Sequence, residues 1–189
     1  KEGNTDAFFG AADTINGNNS DDVSATWVFD ISGASDLSLS IDMGAMGDFE
    51  SSDFFVWEYR IDDGATQVVF QSSVDEASSN TYTLEGGSSF TLNDPMLVDG
   101  VVLTNDLATF SADLMGSGDE LSLTLRASTN GGGEAFVFQN INIVSTAPTL
   151  VAFDLVNSSN QNLLSYTNAF TNAFSSGADG FQVYQRGVS

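Results

Sequence analysis

The chain has 189 residues, with 4 basic against 26 acidic side chains, a formal charge of −22, and neither histidine nor cysteine. That excludes Ser-His and Cys-His nucleophiles and imidazole or thiolate metal ligands, and it argues against nucleic acid or anionic lipid as partner, since almost nothing could neutralise phosphates. The sole lysine is Lys1, so an internal Schiff base is excluded as well, and what survives is oxygen chemistry: a glycosidase-like pair of carboxylates or a hard cation.

In chain order the apolar period is two almost throughout. Residues 25–31 open the series, and in 37–43 Leu37, Leu39, Ile41 and Met43 alternate with Ser38, Ser40 and Asp42, a strand with one wet face. Residues 53–61 set Phe55, Trp57, Tyr59 and Ile61 on one side, which points Trp57 at a core. Asp62-Asp63-Gly64 then turns the chain into a strand over 67–71. Further strands are expected over 80–84, 88–92, 107–114, 121–127 and 135–144. Strict alternation in the last of these puts Phe136, Phe138, Asn140 and Asn142 on one face, with Ala135, Val137, Gln139, Ile141 and Ile143 opposite.

Turn signals recur between these short strands and no helical stripe interrupts them, which predicts an antiparallel all-β sandwich over residues 1–145. Residues 146–189 form a β-rich C-terminal extension with apolar stretches at 150–156, 163–174 and 180–185. Some forty residues with no disulfide or metal cage are too few to fold alone. The extension therefore packs on its own sandwich, begins a second domain, or adds a strand to another copy of the chain, which would build filaments.

The richest acidic loop is 47–53, where Asp48, Glu50 and Asp53 repel one another unless a cation sits among them. Ca²⁺, which takes six to eight oxygens, suits such an irregular loop; a solvated loop is the alternative. A second group, Asp13, Asn16, Asn18, Asn19, Asp21 and Asp22, lacks the spacing of an EF-hand and reads equally as turn formers. Glu134, after three glycines and at the mouth of the strand over 135–144, is a further ligand candidate.

The segments AFFGAADT from Ala7, LSIDMGAMGDFESSDFF from Leu39, EYRIDDG from Glu58 and NGGGEAFVFQNINI from Asn130 together resemble a jelly-roll module. Such modules belong to large secreted proteins of marine and other environmental bacteria, often beside extracellular nuclease-like or adhesin-like domains. The resemblance covers residues 7–144. It implies a jelly-roll-like sandwich with structural calcium held by Asp13, Asp48, Asp53, Glu50 and Glu134, and in some relatives sugar binding. Gln139 stands where these modules often carry an Asp, so no ligand is expected there.

The polar, lysine-poor surface also reads as secreted. At seawater ionic strength the Debye length falls to about 3–4 Å, which tames the self-repulsion. No apolar run approaches a membrane span, and a chain opening on Lys1 reads as processed. The expectation is a non-catalytic, calcium-binding structural or adhesive module, with copies of itself or extracellular polysaccharide as partners. The alternative is a carbohydrate-binding accessory to a polysaccharide-degrading enzyme.

Overall fold

The computed structural model describes residues 7–146, 153–156 and 162–166, and these contain strands and connections but no helix. The strands in chain order are β1 (Phe9–Ala11), β2 (Val23–Asp30), β3 (Ser35–Met46), β4 (Phe54–Ile61), β5 (Gln67–Val74), β6 (Ser79–Thr83) and β7 (Ser89–Asn93). There follow β8 (Met96–Val98), β9 (Val101–Val102), β10 (Ala108–Leu114), β11 (Glu120–Ser128), β12 (Ala135–Thr146), β13 (Phe153–Val156) and β14 (Asn162–Tyr166).

The pairing is nested. β1 pairs with β12, β2 with β11 and β3 with β10, all antiparallel, as though one long hairpin had been rolled over on itself. β12 and β11 then take second partners in β3 and β4. The result is a four-stranded sheet in the order β1-β12-β3-β10 and a six-stranded sheet in the order β2-β11-β4-β5-β8-β9. This wrapping of two antiparallel sheets is jelly-roll-like, as the sequence leads one to expect. Two small hairpins, β6–β7 and β13–β14, stand as sheets of their own. The chain divides into a unit of Lys1–Thr146 and a unit of Ala147–Ser189. In the second unit β13 and β14 pair with each other, whereas the apolar stretch at 180–185 lies outside the described residues.

Alternation fills the space between the large sheets. Leu37, Leu39, Ile41 and Met43 of β3 are buried in one cluster with Leu121, Leu123 and Leu125 of β11 and Phe55, Trp57 and Tyr59 of β4. Aromatic rings join the layers: Phe138 meets Trp57 and Phe55 edge-on at centroid distances of 5.3 and 5.1 Å, and Phe136 meets Phe55 at 5.4 Å. Edge-to-face pairs of this kind add stabilisation beyond the area they bury.

The even alternation expected along β12 does not hold. Asn140 takes a left-handed φ of +53°, and between Gln139 and Asn142 the register with β3 gains one residue. A bulge of this sort reverses the parity of everything after it. Ile141 and Ile143 therefore pack against the core cluster, while Asn140 and Asn142 are exposed and do not share the face of Phe136 and Phe138. Also beyond the expected set are the short strands β1, β8 and β9. The β8–β9 hairpin turns through Asp99 and Gly100, at φ +52° and +76°, positive at both central residues as two-residue hairpins of the commonest type require.

Phe138→Ala is expected to lower the unfolding free energy by about 3–5 kcal/mol, whereas Asn142→Ala changes it by less than about 0.5 kcal/mol. Urea unfolding of the two variants checks the reversed parity, because an Asn142 directed inward would make the second change costly.

Candidate metal centre

The sheet orders decide which loops meet. β12 lies between β1 and β3 in one sheet, and β11 lies between β2 and β4 in the other. The connections β1–β2, β11–β12 and β3–β4 therefore all cross between the sheets at the same end. The registers Ala11↔Phe136, Ala135↔Met46, Ala127↔Val23 and Ser128↔Phe54 mark where each leaves its strands. The β11–β12 crossover is the middle one, and it carries Glu134.

Asp53, at the end of the β3–β4 crossover, is only 3% exposed. Its Oδ2 accepts the Glu50 N–H at 2.8 Å while its own N–H donates to the Glu50 carbonyl, closing a reciprocal turn. Its Oδ1 accepts the Asn130 N–H at 3.3 Å, which fastens this crossover to the middle one. Glu134, 7% exposed, accepts the Thr129 hydroxyl at 2.6 Å and the Gly131 N–H at 3.0 Å through Oε2. Thr129, fully buried, also joins the third crossover: its N–H donates to Thr14 Oγ1 at 2.9 Å and its carbonyl accepts the Ile15 N–H at 2.9 Å.

Two glycines make room for Glu134. A Cβ on Gly131 would collide with the Glu134 carboxylate, and one on Gly47 would lie 2.8 Å from its Cγ. Phe49 is buried and stacks on Phe136 at 5.4 Å, so the β3–β4 crossover is anchored in the core beside the carboxylates it carries.

Glu50, Asp53 and Glu134 thus come together, each offering a carboxylate oxygen within 4.8 Å of the others. Asp48 and Asp13, expected alongside them, do not belong to this group. Asp48 is exposed next to the inward-turned Phe49. Asp13 is exposed too, at φ +47°, and its carbonyl accepts the Asn16 side-chain amide at 2.7 Å. The other polar residues near it build turns: Asn16 and Asn19 exchange backbone hydrogen bonds, and the Asn19 side chain donates to the carbonyls of Thr14 and Asp21. Sequence patterning gave no warning of Thr14 and Thr129, whose importance lies in contacts 115 residues apart along the chain.

Among the described residues no basic side chain is paired with the three carboxylates. Both ion pairs there belong to Arg126, which bridges Asp22 at 3.0 Å and Glu58 at 3.2 Å on the outer face of the six-stranded sheet. Burial, and then the charge of Asp53, push the Glu134 carboxyl above its ordinary 4.5, against the hydrogen bonds from Thr129 and Gly131. Glu50 is raised as well, first through its side-chain hydrogen bond with Asp53 and further by the charge of Glu134. Crowded acids of this kind are relieved by a proton or by a cation. Three hard oxygen donors on irregular backbone could hold a metal ion, and they suit one that prefers carboxylates and carbonyls.

Among the described residues the aromatic side chains divide between surface and core, with Phe8, Phe9 and Phe90 exposed. Trp57, Tyr59 and Tyr82 are buried, and the half-buried Trp27 packs on Trp57 at 5.4 Å and edge-on to Phe9 at 6.0 Å. Comparison with protein-family models, with curated proteins and with solved structures finds no match to this chain.

The raised Glu134 carboxyl fixes the sign of a pH effect. Its proton is held more tightly folded than unfolded, so its contribution is most favourable below 4.5 and is lost as pH rises from there through the folded value. In EDTA, the stability of the wild type relative to Glu134→Gln is therefore expected to fall across that window and level off above it. Thermal midpoints of both proteins, measured over a pH series, check this.

Proposed function

We propose that this protein is a non-catalytic, secreted β-sandwich module that is stabilised by calcium and serves a structural or adhesive role. The observation that carries the reading is the convergence of Glu50 and Asp53 from one sheet-to-sheet crossover with Glu134 from its neighbour. An ion there fastens two connections that no disulfide holds, in a chain without cysteine. Ca²⁺ fits better than Mg²⁺ because the donors sit on irregular loops, which accommodate a variable shell of oxygens more readily than a strict octahedron.

The acidic surface and the resemblance of residues 7–144 to modules of secreted bacterial proteins support the extracellular part of the reading. In calcium-rich water even a weak site fills. Asp53 and Glu134 are buried and engaged in holding loops, which suits a structural ion better than a pair of carboxylates working on a substrate.

Saturation at a thousandfold excess over Kd adds about 4 kcal/mol, on the order of 10 °C for a domain of this size. Melting in calcium against EDTA is expected to show that rise, and Glu134→Gln to abolish most of it. Identical midpoints in the two buffers would overturn the proposal.

A further inference from the structure

The chain contains two Asn-Gly dipeptides, Asn16-Gly17 and Asn130-Gly131, and the fold treats them differently. An Asn followed by Gly is open to attack on its side-chain amide by the next backbone nitrogen, because glycine offers that nitrogen no steric cover. At Asn16 both ends of the amide are held: Nδ2 donates to the Asp13 carbonyl at 2.7 Å and Oδ1 accepts the Asn18 N–H at 2.9 Å. Its backbone is also closed into a tight turn with Asn19.

Asn130 is exposed, and its side-chain amide enters none of the hydrogen bonds among the described residues. Only its backbone is engaged, through the N–H that donates to Asp53. The attacking atom, Gly131 N, donates its hydrogen to Glu134 Oε2 at 3.0 Å, so a carboxylate already sits where that proton must go.

From this juxtaposition we propose that Asn130 is a site of self-catalysed deamidation, with Glu134 as the group that accepts the Gly131 proton. Gly131 N bonds to Asn130 Cγ as its proton passes to Glu134. The Cγ–Nδ2 bond then breaks, and Nδ2 leaves as ammonia, taking up that proton. Water opens the resulting five-membered imide at either carbonyl, leaving an aspartyl group in the normal or the iso-linked backbone; no oxidant or reductant is needed. The product is a second carboxylate in the crossover that carries Glu134, directly after the buried Thr129.

The test is prolonged incubation of the native protein in EDTA at neutral pH, followed by peptide mapping that separates Asn, Asp and iso-Asp at positions 16 and 130. Chelation keeps the outcome independent of whether calcium binds. The same chain unfolded in urea supplies the reference, since there both dipeptides react at their intrinsic rates. The expected result is a ratio of Asn130 to Asn16 conversion well above the unfolded ratio. Glu134→Gln is expected to slow position 130 alone, by up to about a hundredfold, the lower end of what a positioned base contributes. A native ratio equal to or below the unfolded one overturns the proposal. So does an unchanged rate at 130 in a folded Glu134→Gln protein.

Discussion

Phe136 and Phe138 project from β12 into the rings of Phe55 and Trp57 on β4, and this contact between the layers positions everything that follows. It fixes the start of β12 over the start of β4. The crossover that leads into each strand must then run beside the other, with Glu134 preceding β12 and Asp53 preceding β4. Phe49 extends the same stack by lying on Phe136, so core packing continues without a break into the loop that carries Glu50. The carboxylates are held close by ring packing and by backbone hydrogen bonds, in spite of their mutual repulsion.

That opposition gives the site its character. Burial and the charge of Asp53 hold a proton on Glu134 more tightly than water would, yet its Oε2 already receives two hydrogen bonds that favour the ionised form. A cation held there would resolve the conflict in a way that a proton cannot, because it could meet all three carboxylates at once. Stability and composition are linked here. A chain with four basic side chains, one of them committed to Glu58 and Asp22, has little of its own to offer as a counterion.

Much of the fold is written in local pattern. Leu121, Leu123 and Leu125 announce a half-buried strand, and Asp62-Asp63-Gly64 announces the hairpin that joins β4 to β5. Asp99-Gly100 between valines carried an equally good hairpin signal, too short in its flanks to stand out. The parity of β12 beyond Gln139 was not legible, because it depends on one left-handed residue, and asparagine adopts that conformation without announcing it. In the site, Glu50 and Asp53 stood out as members of the richest acidic loop and Glu134 as an acid after three glycines. What separates them from Asp48 and Asp13 is direction, set by the burial of Phe49 and the turn at Asn16, and direction follows from packing. Thr129 ties its own crossover to the one that carries Thr14 and Ile15, and carries no pattern at all.

The scarcity of basic residues has one more consequence. Enzymes that cut after lysine or arginine need the target bond in an extended, unpaired stretch. Among the described residues the only such residues are Arg60 and Arg126, both inside paired strands, β4 against β11. Arg126 is further clamped by two carboxylates and lies 5.9 Å from the Phe54 ring. The folded layers accordingly present no ready point of attack to trypsin-like digestion, a durability that comes from residue choice and needs no covalent cross-link.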